Sequence, residues 1–232
     1  MLSKLLAGWK KDSLINVALG DAVAMLRKAE LMFAAVSDLF LNGTEVTFDI
    51  YAMDKDINRG EIEVRRMVLE HLSISPRQDL VFSLVLTTII NDIERMGDYC
   101  KNIFELSSVY EPIGDRPPYS SILADATTQV RDSFRKSITA FESEDVEGAN
   151  EVMRVHGRVN KICEQIMQDV AADESLNSKE SVTLVLYARH LKRVSAHLAN
   201  LMSSVVRPFD RIGFFRKQEG GAKKEETDIE NI

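Results

Sequence analysis

Proline and glycine decide most of what this chain can become. Only 5 prolines and 11 glycines occur in its 232 residues, and they fall between long stretches of regular apolar spacing. Three of those prolines and one of the glycines crowd into "EPIGDRPP", residues 111–118. Proline lacks an amide donor and clashes with the preceding turn, so this stretch cannot continue a helix and reads as a linker. On both sides of it apolar residues recur at helical spacing. Upstream, one helix is predicted from Leu14 to Leu41, stopped by Asn42-Gly43, and a second from Val46 to Leu72. The second carries Ile50, Ile57, Val64 and Val68 on one stripe, with Met53 beside it. In "SISPRQDL", Ser75 suits a cap, Pro76 the first helical position and Gln78 a capping box, opening a third helix that runs to Tyr110. Downstream, helices are predicted over Tyr119–Phe141, Val146–Val170 and Ser178–Val206, with Asn177 and Glu180 starting the last.

The spacing therefore predicts an all-α chain of two tandem three-helix bundles. Residues 1–110 form the first bundle with a short N-terminal arm, 111–118 the linker, 119–206 the second bundle, and 207–232 a basic-aromatic segment with a polar tail. Helices of this length reach about 40 Å, and short connections make neighbours antiparallel, so two bundles in tandem make an elongated molecule. The halves also align with each other as an internal repeat. "MDKDIN" at 53–58 matches "VHGRVN" at 155–160, and "IERMGDYCKNI" at 93–103 matches "LKRVSAHLANL" at 191–201. Asn58 pairs with Asn160, Arg95 with Arg193 and Asn102 with Asn200.

Composition removes several function classes. A net charge of −7 argues against nucleic acid as a partner, because phosphate binding needs a basic surface. The two cysteines, Cys100 and Cys163, lie in apolar helical patterns and fit buried thiols in a reducing compartment. No apolar run reaches the roughly 18 residues of a membrane span, and "MLSKLLAGWKK" is too short in apolar residues for a secretory signal. A cytoplasmic location is expected.

The chemistry concentrates in "NDIERMGDYCKNI", residues 91–103. Glu94 and Asp98 stand one helical turn apart, where like charges repel. Around a core centred on Ile93, the residues Thr87, Asn91, Glu94, Asp98, Asn102 and Glu105 fall on a separate stripe. The second helix offers Asp54, Asn58 and Glu61 on one face. Such a row is either a solvated helix face or a platform for a hard cation such as Mg²⁺, Mn²⁺ or iron. A ferritin-type di-iron bundle is disfavoured, because it needs Glu-x-x-His motifs and none occurs. No nucleophile elbow, P-loop or glycine-rich phosphate cradle occurs either.

"IERMGDYCKNI" resembles the "LERIGDHAxNI" signature of the PhoU family of phosphate-uptake regulators, and "MDKDIN" resembles the family's "LDDEIN". The resemblance covers roughly residues 14–206. It implies a duplicated three-helix bundle with Glu/Asp-x-x-x-Asp metal motifs on its surface. By position, Glu94 and Asp98 match the metal motif and Asp54 the supporting acid, with Asn58, Glu61 and Asn102 as further oxygen donors. The second repeat departs from the motif at three places, carrying Lys192, Ala196 and His156 where Glu94, Asp98 and Asp54 stand in the first. An ammonium and a methyl cannot replace two anionic ligands, so a divalent metal or iron is expected on the first bundle only. Lys192 is expected to pair with a nearby acid instead. Scattered His156, His190 and His197 read as structural or solvated rather than as a site for a softer ion.

Arg95 reads as a tie between its helix and a neighbour through carboxylates. After the last helix, "RPFDRIGFFRKQ" alternates Phe209, Phe214 and Phe215 with Arg207 and Arg211. It reads either as a tail folded over the second bundle or as a dock for a membrane or transporter. Trp9 reads as an anchor for the N-terminal arm, on the bundle or on a partner. The resemblance implies a non-catalytic metal-binding regulator. Its partner would be a phosphate transporter component or a phosphate-sensing kinase at the inner membrane, and self-association stays open. The rivals are a metal-free interaction module and, less favoured, a metal-dependent enzyme.

Overall fold

A computed structural model describes residues 14–77, 79–110, 112–114 and 116–213. Six helices account for most of them: α1 (Leu14–Asn42), α2 (Ile50–Ile74), α3 (Leu80–Val109), α4 (Tyr119–Ser143), α5 (Val146–Ala172) and α6 (Ser178–Val206). No strand occurs among the described residues. A single 3₁₀ turn, Phe209–Arg211, follows α6.

Local chemistry sets the ends. Gly43, at φ +72°, closes α1 by donating its N–H to the Leu39 carbonyl at 2.8 Å. α2 starts at Ile50 rather than Val46, because the Asp49 side chain accepts from the Ala52 N–H at 3.0 Å and fixes the first turn there. In α6 the Asn177/Glu180 capping box forms in both directions, at 3.0 and 2.9 Å.

The start of α3 differs from the sequence expectation. Ser75 closes α2 instead of opening α3, giving its N–H to the His71 carbonyl at 2.9 Å. α3 begins at Leu80 after Asp79, which sits in the left-handed region at φ 57°. The buried His71 Nε2 lies 3.3 Å from Asp79 Oδ2. That tertiary pairing, absent from any local pattern, goes with the later start; Gln78 lies outside the described residues.

Each bundle buries its own stripes, and the two bundles then lie flank to flank. α1 packs on α4 and α3 on α6, so one continuous apolar core runs through both halves. Phe40 of α1 stacks on Tyr187 of α6, centroids 4.7 Å apart and planes 11° from parallel, and Phe33 meets Phe134 at 5.4 Å. All four rings are fully buried, each contributing roughly 1.5–3 kcal/mol of apolar burial. Charge pairs rim this seam, among them Arg27 with Glu142 at 2.7 Å and Arg131 with Asp38 at 2.6 Å.

The linker is docked rather than loose. Ile113 is fully buried and gives its N–H to the Phe40 carbonyl at 2.9 Å. Arg116 donates to the Ile113 carbonyl and to Glu180, the latter at 3.0 Å. Both cysteines are buried free thiols, and burial pushes Cys163 up to about 12. No helix among the described residues is long and apolar enough to cross a membrane.

Candidate functional site

Gly97 sets how closely α2 and α3 approach. A Cβ at that position would stand 3.1 Å from Ile57 Cδ1 and 3.5 Å from Ile57 Cγ2. Ile57 is fully buried and β-branched, with little freedom to move aside. The missing side chain lets the two helices close up, and Asp54, one turn before Ile57, comes within reach of the α3 carboxylates.

Lys101 joins them. Its Nζ donates to Asp54 Oδ2 at 2.8 Å and to Asp98 Oδ1 at 2.9 Å, bridging the helices. Burial disfavours this ammonium, but hydrogen bonds to both carboxylates outweigh it and hold the pKa above that of an ordinary lysine. Asp54 is nearly inaccessible, at 5% exposure.

Glu94 lies one turn before Asp98 with 15% of its side chain exposed, and its nearest cation is Arg95 at 3.6 Å. Burial first, then the charges of Asp98 and Glu61, push the Glu94 pKa up, with Asp54 adding to them and Arg95 opposing. Glu61 is held by Arg65 at 2.8 Å. The structure therefore brings Glu94, Asp98, Asp54 and Glu61 onto one acidic face, two from each helix. Asn58 and Asn102 are half-buried. The Asn58 Oδ1 and Asp54 Oδ1 atoms are buried with no hydrogen-bond partner, which marks acceptor capacity left unused.

The all-oxygen donor set suits a hard cation. Its placement is that of an ion-pair network. No three His, Cys, Asp or Glu side chains among the described residues converge closely enough to hold a metal ion. Lys101 was not singled out from the sequence, although its spacing of three from Asp98 was visible. Arg95 pairs within its own helix, with Glu94 and with Asp98 at 3.4 Å, rather than tying α3 to a neighbour.

In the second bundle Lys192 finds its acid in Glu164, at 2.8 Å. His156 Nδ1 lies 3.2 Å from Ser195 Oγ; burial, then the Lys192 charge, lowers its pKa. His190 and His197 flank Tyr99 of α3 instead, at 5.9 and 5.6 Å, so the three histidines do not gather. Asp92 meets His197 Nδ1 at 2.7 Å and accepts from Asn200 Nδ2 at 3.1 Å, clamping α3 to α6.

The segment after α6 turns back along the seam. The Arg207 N–H caps α6 on the Ser203 carbonyl at 2.8 Å, and the Gly213 N–H donates to Ser203 Oγ at 2.8 Å. Ile212 packs against the core, and the 3₁₀ turn touches α3. Phe209 is 40% exposed and Arg211 is exposed. Phe214, Phe215 and Trp9 lie outside the described residues.

Comparison with known proteins meets this geometry at both repeats. A family model described as "PhoU domain" matches residues 23–107 and again 123–205. A Deinococcus radiodurans protein named "Phosphate-specific transport system accessory protein PhoU homolog" is 21% identical over 201 residues, covering 82% of this chain and 92% of its own. A Synechocystis protein of the same name is 22% identical over 171 residues, covering 72% and 76%. Among solved structures, the crystal structure of PhoU from Pseudomonas aeruginosa superposes with a TM-score of 0.73 at 16% identity, covering 84% of this chain and 97% of that one. PhoU from Streptococcus pneumoniae superposes at 0.63, also at 16% identity, covering 88% and 92%. At such identities the structural likeness concerns the fold.

Proposed function

The chain belongs to the PhoU domain family, and from that premise we propose that it is a non-catalytic regulator of phosphate uptake. It acts with a membrane phosphate transporter component or with a phosphate-sensing kinase. The observation that carries this is the double domain match across both repeats, in a chain that spans 92% of a relative named as a phosphate transport accessory protein. The face built by Glu94, Asp98, Asp54 and Glu61, with Asn58 and Asn102 at its margins, is the proposed cation site. Unused buried oxygens on Asp54 and Asn58 support that assignment. A bound divalent ion or iron would offset part of the charge of the four carboxylates and offer coordination positions to an acidic group of a partner.

The test is a deletion strain grown in phosphate-rich and phosphate-poor medium. Phosphate uptake and a phosphate-starvation reporter should both lose their dependence on external phosphate, and this chain should restore it. Unchanged uptake and reporter in both media would refute the regulator. Affinity capture of the intact chain from phosphate-rich cells should recover a transporter component or a sensing kinase. A metal-free interaction module is the second reading, favoured by Lys101 and Lys192, which already supply cations to their acidic neighbours.

A further inference from the structure

We propose that Lys101 is the resident cation of the acidic face. Its ammonium holds Asp54 and Asp98 in the place of a divalent ion, and metal loads there only when Lys101 is displaced. The inference rests on the acidic face being a cation site. Three features of the molecule support it.

The first is position. Lys101 Nζ touches one carboxylate from each helix, at 2.8 and 2.9 Å, and its side chain is 23% exposed against 8% for Asp54. A hard cation drawing on Asp54 and Asp98 would need these same oxygens.

The second is what the ammonium leaves undone. Lysine offers three donors and no further coordination. Asp54 Oδ1 and Asn58 Oδ1 remain buried without partners. A six-coordinate cation could use such oxygens, whereas the Lys101 ammonium bonds to neither.

The third is the other repeat. Lys192 supplies an ammonium to Glu164 there, at 2.8 Å. The alignment that pairs "IERMGDYCKNI" with "LKRVSAHLANL" sets Lys192 opposite Glu94, and Lys101 opposite Ala199. Each half thus carries one lysine on this face, from different turns of its third helix. A lysine of the third helix paired with a carboxylate of the second occurs in both halves, although the Lys192–Glu164 pair is the more exposed, at 30% and 50%.

The experiment titrates MnCl₂ into the wild-type chain and into Lys101→Met, with metal stoichiometry and Tm as readouts. Met keeps much of the aliphatic bulk and removes the charge. Lys101→Met should bind about one Mn²⁺ per chain at least about tenfold more tightly than wild type. Its Tm should rise by about 5 °C or more at saturating metal while that of wild type barely moves. Adding Glu94→Ala to Lys101→Met should abolish the gain. If Lys101→Met does not fold, Lys101→Gln, whose amide still donates a hydrogen bond, carries the same comparison. Equal tight binding by wild type and variant would overturn the role of Lys101 while leaving the cation site standing. No Mn²⁺ binding by any folded variant would overturn both.

Discussion

Replacing Glu94 with Gln should make the metal-free protein more stable. A side chain kept for packing loses stability when changed, whereas a charge kept against its surroundings gives stability back. Glu94 has the second character, because burial, Asp98 and Glu61 all disfavour its charge. A like-charge pair at this spacing costs about 0.2–0.5 kcal/mol on a helix. Glu61 and Asp54 add comparable repulsion across the α2–α3 interface. Arg95, 3.6 Å away and half exposed, recovers only part of it after solvent screening. The sum is a gain of about 0.5 kcal/mol, or a rise of about 1–2 °C in Tm for a chain of this size. Urea unfolding at neutral pH with EDTA, followed by circular dichroism, measures it. The gain should shrink in about 1 M salt, where charges are screened within about 3 Å. Asp54→Ala supplies the contrast. It removes one of the two carboxylates that hold the Lys101 ammonium, which keeps Asp98 at 2.9 Å, and should cost about 1.5 kcal/mol. If Glu94→Gln loses more than about 1 kcal/mol, Glu94 is a structural residue and the electrostatic reasoning fails.

Phe40→Ala should cost about 3–5 kcal/mol in the same assay, because Tyr187 is held over the cavity by its hydroxyl contact with Thr127 at 2.9 Å and cannot collapse into it; a loss below about 1 kcal/mol would deny the shared core. Asp92→Ala leaves His197 and Asn200 without their common acceptor and should cost about 2 kcal/mol, with a smaller effect from Asn200→Ala. Burial, then the Arg189 charge, lowers His190 to about 4 from 6.5, and burial also lowers His156. Both bind protons more readily when unfolded, so Tm should fall as pH drops from 6.5 toward 4. His190→Leu should flatten that fall, and an unchanged slope would place the acid sensitivity elsewhere.

Six helices were legible because proline, glycine and apolar spacing agree along the chain. Where they misled, at Ser75-Pro76, a strong local start signal gave way to the left-handed Asp79 and its approach to His71, a contact invisible to local patterns. The members of the acidic face were legible because two antiparallel helices with carboxylates on one stripe each have few ways to meet. The bridge was not. Lys101 could be placed beside Asp98 from spacing, but its bond to Asp54 depends on the α2–α3 register, which Gly97 and Ile57 settle in three dimensions. Asp92, Tyr99 and His197 were also beyond reach. A helix wheel drawn for one bundle assigns them to the wet side, and only the second bundle turns that side into an interior.

The pairing of α1 with α4 and α3 with α6 joins first helix to first and third to third. That is the contact pattern of an isologous homodimer with its two-fold axis running through the interface, here written into one polypeptide. In a true homodimer every substitution appears twice, and a lysine introduced on one acidic face would appear on both. Covalent fusion lifts that constraint. Glu94 stands in one half and Lys192 at the matched position of the other, and Asp54 is likewise matched by His156. The fold keeps the geometry of a symmetric pair and gives each partner its own charge, so the molecule can present two chemically distinct sides to whatever it touches.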